Sequence, residues 1–557
     1  MTTSPQKKTL VAPVLRKKSA SVPVAKLAVA ETATEWLGAY YVVDFDACNM
    51  IRLPNTKPDA GGWLKNAKAN QKTNFDSDDK ATQTQDFQDG TDDRADSSAP
   101  AKKLGIDSVT AAYIATHGVR SEDGKKFCFL IGGPDCRSIA ASDMKTLGNG
   151  SLRYLFVATC ESVAVADPQP VWLPNVDGLR AVFGYDGSIM DSADYGQNFF
   201  YEWQKGVGAK KKTTTQAFLD ASWDVNHFQT PVAAWFGKTT AEAAKAQDGE
   251  KEFDESRLES TKKMSWRWYA AKSLPKPGVT LRSANMTLTL DAPAPLVDPL
   301  PMLAHFVTDP AELQHALVES RNGLSYSFMT AGGTEMVSDA RSGSVDVTFP
   351  NFDAPSVFTS TPEDAIEKAQ SYVDRLHTAF PNSHSIEPGL VLGLVPSELR
   401  RSYTATSESS AADPATVTHL TVVFRQTVDG VPTVGTGGVV EVTLNGALEV
   451  VRVRIVLRRI AAISPFPAPD QPTIDVARMM AMAEERALTQ IEAPPGSRRE
   501  IVQSEVGFFA AGESVQQRTS ALSFRVVVKV SAEAPHAPFA GSFTRLFEKV
   551  YPGRELG

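Results

Sequence analysis

Cysteine is scarce in this chain, with only Cys48, Cys128, Cys136 and Cys160 among 557 residues. Four cysteines are too few to form a disulfide scaffold in a chain of this length, so a reducing compartment is expected. Apolar runs of membrane-spanning length, about 18 residues or more, do not occur. The first residues carry positive charges without the apolar run of a secretory signal. We therefore expect a soluble, cytoplasmic protein with no membrane partner.

Basic charge is not in excess either, because the formal net charge is -8. This balance argues against a nucleic-acid partner. Cys128 and Cys136 are eight positions apart, unlike the close cysteine pairs of structural zinc sites. The Asp-rich run within residues 65–103 lacks the ligand order of an EF-hand loop. We expect no metal ion and no cofactor.

The first half of the chain has the composition of an α/β domain after a short tail. Residues 1–35 are small, basic and irregular, which is typical of a flexible tail. Residues 36–272 alternate apolar runs with helical periodicities, which predicts a mostly parallel sheet sandwiched by helices. The insertion 65–103 has almost no apolar residues and is predicted to be disordered.

The second half has a different pattern. Residues 273–355 include the Pro-rich run DAPAPLVDPLP (291–301), which indicates a stiff linker, and a part without an assignment. Residues 356–460 and 461–557 each begin with a helical pattern and continue as an antiparallel meander, which predicts two α+β units. Thr361 marks the start of the first helix. Asp429-Gly430 and Asn445-Gly446 mark hairpin turns.

Two apolar strands of the first half end in reactive side chains. They are TAAYIATHGVR (110–120) and SLRYLFVATCESV (151–163). Because the carboxyl ends of parallel strands face one crevice, His117 and Cys160 are expected to meet there. A thiolate is a strong nucleophile, and an imidazole can move a proton near neutral pH. Gly118 leaves room for a substrate backbone and exposes an N–H that can hold an oxyanion.

The order of these motifs resembles the caspase-like superfamily of cysteine peptidases (clan CD), which includes caspases, metacaspases, legumains, separases and gingipains. The resemblance covers about residues 36–240 and implies a caspase-like fold. It implies that Cys160 is the catalytic nucleophile and His117 the proton donor to the leaving group. The N–H groups of Gly118 and Cys160 would form the oxyanion hole.

The resemblance also implies where substrate binds. In this superfamily the specificity pocket draws on the end of the first strand and on the strand after the cysteine. Here those ends offer four substrate-binding candidates: Asp44, Asp46, Asp186 and Ser188. Carboxylates at these positions would favour Arg or Lys at the cleavage position. Position 158 is Ala, whereas several arginine-specific members have an Asp there.

The C-terminal meander has a resemblance of its own. The segment VVFRQTVDGVPTVGTGGVVEVTLNGALEVVRV (422–453) resembles the FTP and PepSY propeptide domains of thermolysin-type metallopeptidases. This implies an FTP-like domain over 356–460 and a PepSY-like domain over 461–557. No HExxH zinc motif occurs. The resemblance implies an inhibitory or chaperone-like module that contacts the peptidase domain.

Together these features predict a cysteine endopeptidase that cleaves protein or peptide substrates through a thioester on Cys160, restrained by its C-terminal region. Cleavage after basic residues is a hypothesis that depends on the candidate carboxylates. A cysteine at a strand end is, however, often a buried core residue. The alternative is a catalytically inactive caspase-like binding or scaffolding protein.

Overall fold

The structure is a computed structural model that describes most of residues 35–556. The gaps in this description are 67–70, 78–83, 88–94, 97–98, 104, 133–135, 145, 206–210, 276–277, 282, 291–302, 308–309, 316, 322–324, 340–341, 355, 380–390, 408–414, 458, 465–472, 513–516, 534–536 and 540. The predicted tail, except for its last residue, and the Pro-rich linker lie outside the described residues.

Strands predominate in the described chain. In chain order they are β1 Glu35–Tyr41, β2 Gln71–Ser77, β3 Ala95–Asp96, β4 Ala99–Lys103, β5 Ala111–Ala115, β6 Gly118–Arg120, β7 Phe127–Ile131, β8 Arg137–Ala140, β9 Tyr154–Ala158, β10 Ala181–Asp186, β11 Thr230–Gly237, β12 Lys263–Ser273, β13 Thr287–Leu290, β14 Leu317–Arg321, β15 Ser325–Met329, β16 Glu335–Asp339, β17 Val345–Thr348, β18 Leu392–Thr406, β19 Thr416–Val428, β20 Val431–Val434, β21 Val439–Leu444, β22 Val450–Val456, β23 Ile460–Ser464, β24 Arg498–Phe509, β25 Thr519–Glu533 and β26 Ser542–Pro552.

Helices cover parts of the sheets. The α-helices are α1 Thr56–Lys65, α2 Gln169–Trp172, α3 Tyr195–Trp203, α4 Thr214–Val225, α5 Thr240–Gly249, α6 Pro362–Ala379 and α7 Val476–Gln490. Within the described residues, none of the helices has both the length and the apolar character needed to cross a bilayer.

The first half of the chain forms a sheet with a parallel core. The order is β2-β1-β5-β9-β10, all parallel, followed by β11 and β12, which are antiparallel. Every residue of β5 and β9 is buried, as expected for strands covered on both faces. The prediction of a mixed α/β fold is confirmed.

Part of the predicted disordered insertion instead belongs to this sheet. Strand β2 pairs in parallel with β1, and Phe75 and Phe87 are buried. Both rings contact Tyr40, with centroids 4.5 Å from its ring. These two buried aromatic side chains anchor the strand to the edge of the sheet. The polar composition of the insertion as a whole did not indicate this.

The sheet continues without a break into the second half of the chain. Strand β12 pairs antiparallel with β18, and the order then runs β19-β21-β22-β17-β16-β15-β14. The region without an assignment thus contributes β14 to β17. The prediction of helix α6 is confirmed, with Thr361 and Asp364 capping its first turn. Its apolar face packs on the meander through Ala365, Ala369, Val373 and Leu376.

The two predicted hairpin turns differ in outcome. Asp429 and Gly430 have φ values of 49° and 76°, which is the two-residue hairpin turn that an Asp-Gly pair favours. At Asn445 the loop is longer, because β21 ends at Leu444 and β22 begins at Val450. There the Asn445 side chain accepts hydrogen bonds from the N–H groups of Ala447 and Glu449, both at 3.0 Å.

The last unit packs α7 against the antiparallel strands β24-β25-β26. The beginning of β26 projects from this unit to the carboxyl edge of the parallel strands in the first half. There Phe543 joins a hydrophobic cluster with Val42, Phe45 and Val119. The C-terminal strand therefore lies at the sheet edge where the sequence places His117 and Cys160.

A disulfide joins two segments beside this edge. Cys48 and Cys136 are 88 residues apart in the chain, and their Cα atoms are 5.1 Å apart. Cys128 and Cys160 are free thiols and are buried. The low cysteine content did not predict this bond, because only the fold brings the two residues together.

Candidate active site under the C-terminal strand

The strands that carry His117 and Cys160 end side by side, as predicted. Ala115 of β5 pairs with Ala158 of β9, so each reactive residue follows its strand by two positions. The segments beyond the strands also touch. A Cβ atom added to Gly118 would lie 2.5 Å from the carbonyl oxygen of Cys160. Glycine is therefore required at position 118 by this close approach.

A strained turn fixes the position of Cys160. Glu161 has a φ of 60°, which is costly for a residue with a side chain. The turn is held by Glu161 N–H, which donates to Gly187 O at 2.9 Å. The Ser162 hydroxyl donates to Val157 O and Thr159 O, both at 3.1 Å. These bonds hold Cys160 against the end of the sheet.

His117 is fully buried, and its ring orientation defines its tautomer. Nε2 lies 2.7 Å from Ile51 O. A carbonyl oxygen can only accept, so Nε2 carries the hydrogen and Nδ1 keeps a lone pair. Within the part of the chain that the structure describes, Nδ1 has no hydrogen-bond partner. Burial, with a smaller contribution from the positive charge of Arg545, lowers the pKa of His117 to about 3. The imidazole is therefore neutral near pH 7, with one nitrogen able to accept a proton.

Cys160 is also fully buried, and main-chain groups surround its sulfur. Sγ donates to Thr544 O at 2.7 Å and accepts from Ile189 N–H at 3.3 Å. Burial raises the pKa of the thiol, and the opposing effects of Arg545 and these hydrogen bonds do not cancel it. The sulfur is thus held as a neutral thiol.

The group that covers Cys160 is the start of β26, residues 543–546, which we call the covering segment. Leu546 N–H donates to Ile189 O, and Asp191 N–H donates to Leu546 O, both at 2.9 Å. The hydroxyls of Ser188 and Thr544 lie 2.8 Å apart. The covering segment therefore binds along the loop after β10 as a short added strand, a common mode of peptide recognition.

The side chain of Arg545 is buried in a pocket with acidic walls. It is 2% exposed, with Nη2 3.9 Å from Asp191 Oδ1 and Nη1 3.5 Å from Thr116 O. Burial disfavours the charged guanidinium. The acidic groups around it, the Cys160 thiol and Asp191 first and Asp59 among the rest, outweigh burial and raise the pKa of Arg545. We call the space lined by Asp59, Asp191 and Tyr195 the arginine pocket.

Asp59, on helix α1, is a buried carboxyl group whose charge acts on Arg545. Its carboxylate accepts hydrogen bonds from Gly196 N–H at 2.8 Å and from the Tyr113 hydroxyl at 2.5 Å. Burial nevertheless raises the pKa of Asp59 to about 7. Burial also raises the pKa of Asp191. Both groups are held in a poorly solvated site where a cation is a favourable neighbour.

The carboxylates proposed from the sequence lie elsewhere. Asp44 and Asp46 are exposed, and Asp44 Oδ1 accepts from Asp46 N–H at 3.0 Å. Asp186 forms an ion pair with Arg120, which also pairs with Glu161. Of the four candidates, Ser188 contacts the covering segment through Thr544.

Sequence reasoning missed Asp59, Asp191 and Arg545. Asp191 follows Asp186 by five positions, so extending the search along the same loop would have found it. Asp59 lies on a helix that no periodicity marked. Arg545 carries no local signal, because its position depends on the packing of the last strand against the first sheet. Among the described residues, no group of three or more His, Cys, Asp and Glu side chains is arranged to hold a metal ion.

Burial of neutral His117 should make the protein sensitive to acid. The folded pKa is below the unfolded value of 6.5, so the unfolded chain binds more protons between these values. Above pH 6.5 His117 is neutral in both states, so folding costs no proton, and stability falls as pH drops from 6.5 towards 3. By pH 4 the loss amounts to about 3 kcal/mol. We expect urea unfolding from pH 7.5 to 4 to show a steeper loss for the wild type than for His117→Gln. Parallel curves would contradict this.

Comparison with known proteins finds a family model that is similar to the part of the chain containing the candidate residues. A family model described as a domain of unknown function (DUF6345) matches residues 34–270, which include His117 and Cys160. No curated protein matches the chain. A solved structure of an uncharacterized protein from Eubacterium rectale is 10% identical, over 48% of this chain and 83% of that one. Its TM-score is 0.29, which supports no statement about fold or function.

Proposed function

We propose that this chain is a latent cysteine endopeptidase of caspase-like architecture that cleaves after basic residues. In this proposal, Cys160 is the nucleophile, and the C-terminal region keeps the site closed until it is displaced. One observation carries the proposal. The covering segment lies over Cys160 along a loop edge, and its Arg545 side chain is buried beside Asp191. A basic peptide would bind the same groups.

The chemistry follows from the atoms available. Cys160 transfers its proton to Nδ1 of His117, and the thiolate attacks the carbonyl carbon of the scissile peptide. N–H groups of Gly118 and Cys160 receive the negative charge on the oxygen. The C–N bond breaks as the imidazolium protonates the leaving amine, which leaves a thioester. Water then attacks the thioester, with His117 as the base, and releases the acid and the thiol.

Burial accounts for latency in this proposal. It raises the pKa of Cys160 and lowers the pKa of His117, so both groups rest in their neutral forms. Displacing the covering segment would admit water and weaken both shifts. The thiol would also lose its acceptor, Thr544 O. Opening the site therefore activates the nucleophile and makes room for a substrate at the same time.

Ion pairs that bridge the first and second halves support the proposed restraint. Asp220 and Asp224 of α4 bind Arg452 and Arg454 of β22, at 2.8 and 2.6 Å. All four side chains are buried. With the pairing of β12 and β18, these contacts hold the C-terminal half in place. The two helix-and-meander units of that half are the part that we assign as FTP-like and PepSY-like.

Substrate preference tests the assignment of the arginine pocket. We would use the full chain carrying Arg545→Glu, which opens the site, and peptidyl acyloxymethyl ketones with Arg, norleucine or Asp at the cleavage position. The arginyl probe should label Cys160 about tenfold faster than norleucine, because an ion pair in a desolvated pocket contributes about 1.4 kcal/mol or more.

Adding Asp191→Asn should remove most of this preference, whereas Asp44→Asn is the matched control on an exposed carboxylate and should leave it unchanged. Equal rates for the three probes would contradict basic specificity. If Asp44→Asn alone removed the preference for arginine, the specificity pocket would instead lie at the end of β1.

A second candidate function is a catalytically inactive caspase-like scaffold. The lowered pKa of His117 and the raised pKa of Cys160 favour it as well. A neutral His117 and a neutral Cys160 in a closed site are also what a structural pair would show. The scaffold hypothesis predicts that the acyloxymethyl ketone probes do not label Cys160 even after the covering segment is displaced.

A further inference from the structure

A cavity of about 510 Å³ lies over the continuous sheet. None of the residues of the candidate active site lines it. Its floor is the polar face of β12, β18 and β19, where side chains on one face alternate with apolar ones on the other. Residues 211–213, 352–354, 356 and 357 also line it. This volume is within the range of small-molecule sites.

The floor is rich in hydroxyl groups and cations. The hydroxyl side chains include Ser265, Ser402, Thr404, Thr421 and Thr443. Six basic side chains and two acidic ones also line the cavity; the basic ones are Lys211, Lys212, Lys251, Arg267, Arg400 and Arg452, and the acidic ones are Asp248 and Asp353.

Some of these cations already have full sets of partners. Arg452 binds Asp346 through Nε and Nη2, at 2.8 and 2.6 Å, and Asp220 through Nη1 at 2.8 Å. Lys212 binds Asp220 at 2.7 Å and also pairs with Glu202. We assign these two residues to the contact between the two halves of the chain.

Two arginines are only partly satisfied. The Nε atoms of Arg267 and Arg400 are buried and have no hydrogen-bond partner among the described residues. Arg267 binds Asp248 through Nη2 at 2.6 Å. Arg400 is 2% exposed, pairs through Nη1 with the buried Glu441 at 3.2 Å, and donates from Nη2 to Thr421 Oγ1 at 3.3 Å. A buried N–H of a charged group without an acceptor is costly, so each Nε marks a place for an oxygen acceptor.

The pKa of His419 is sensitive to the charges of Arg267 and Arg400. Its Nε2 lies 3.1 Å from Phe352 O, and its ring is stacked on Phe352. Burial lowers the pKa of His419 to about 4, and the charges of Arg267 and Arg400 add to the effect. The positive potential of both guanidinium groups therefore reaches the same part of the cavity.

We propose that this cavity binds a small phosphorylated, hydroxyl-bearing molecule through Arg267 and Arg400. The two guanidinium groups supply charge-assisted donors for the oxygens of the phosphate group. The serine and threonine hydroxyls supply partners for the hydroxyls of the ligand. This inference does not depend on the proposed peptidase, because it concerns a different face of the sheet and is read out by binding.

The test is calorimetric titration of the full chain, in chloride buffer, with inorganic phosphate, glucose 6-phosphate and glucose. We expect glucose 6-phosphate to bind more tightly than inorganic phosphate, and glucose not to bind. Arg267→Gln should weaken binding about tenfold, as the loss of one charge-assisted contact does. Arg498→Gln is the matched control, because Arg498 is an exposed arginine on β24.

Arg267 is only half-buried, so Arg267→Gln is expected to fold, and circular dichroism checks this. Ser402→Ala is a second variant that removes a hydroxyl without a charge, and it should weaken glucose 6-phosphate more than inorganic phosphate. The proposal is overturned if both phosphates fail to bind at about 5 mM, a limit near 3 kcal/mol of binding. It is also overturned if glucose binds equally well, or if Arg267→Gln binds unchanged.

Discussion

Arg545→Glu should increase the rate at which a peptidyl-arginine acyloxymethyl ketone labels Cys160 by about tenfold or more. In the wild type, the guanidinium of Arg545 is buried beside Asp191 and Asp59. The substitution puts a carboxylate next to these acids. Like charges in a poorly solvated pocket repel by more than the 1.4 kcal/mol that a tenfold change in population requires. The covering segment should then leave the site.

Two variants separate this effect from general damage. Arg545→Lys keeps the positive charge in the pocket and should remain latent. Arg498→Glu makes the same charge change on the exposed face of β24 and should label at the wild-type rate. Near-UV circular dichroism and the melting temperature report whether each chain is folded. A folded Arg545→Glu chain that labels no faster than Arg545→Lys would contradict the role of the covering segment.

Arg452→Ala should lower the free energy of unfolding by about 3–5 kcal/mol, the usual effect of removing one partner from a buried ion pair. Arg452 joins Asp220 of the first half to Asp346 of the second. Despite burial, the charges of Arg452 and Lys212 hold the pKa of each carboxyl well below its usual range. Without Arg452, the two buried carboxylates lose the cation that stabilises both of them most.

Equilibrium urea unfolding measures this effect. Arg498→Ala is the matched control and should change stability by less than about 0.5 kcal/mol, as surface substitutions usually do. The pH dependence gives a second check. Because the folded pKa values of the two acids are lowered, their stabilisation is present above the unfolded pKa and lost as pH falls. Arg452→Ala should therefore lose less stability in acid than the wild type. A loss below about 1 kcal/mol would show that the bridge is not a main contact between the halves.

The local parts of this fold were predictable from the sequence. Uniformly apolar runs predicted β5 and β9, because strands buried on both faces have no polar side to alternate with. The cap at Thr361 and the amphipathic pattern after it predicted α6. The Asp429-Gly430 pair predicted a tight hairpin, because both residues tolerate positive φ. Strand ends then predicted that His117 and Cys160 follow neighbouring strands.

The rest depends on contacts between distant segments. Strand β2 is held by Phe75 and Phe87 in a segment that is otherwise polar. The Cys48–Cys136 bond and the covering segment join residues 88 and about 384 positions apart. No periodicity or spacing encodes such contacts. The sequence pointed to Asp44, Asp46 and Asp186 as the carboxylates that bind substrate, and it gave no sign that the folded chain brings Asp59 and Asp191 to Arg545.

Peptide mapping of the labelled cysteine tests the central claim most directly. The sample is the full Arg545→Glu chain treated with the peptidyl-arginine probe, compared with the same chain carrying His117→Ala. We expect the label on Cys160, at a rate about a hundredfold lower without His117, since a general base contributes at least that much. Cys128 serves as an internal control, because burial raises its pKa to about 12. Labelling of Cys128 instead, or equal labelling of Cys160 with and without His117, would contradict the cysteine peptidase.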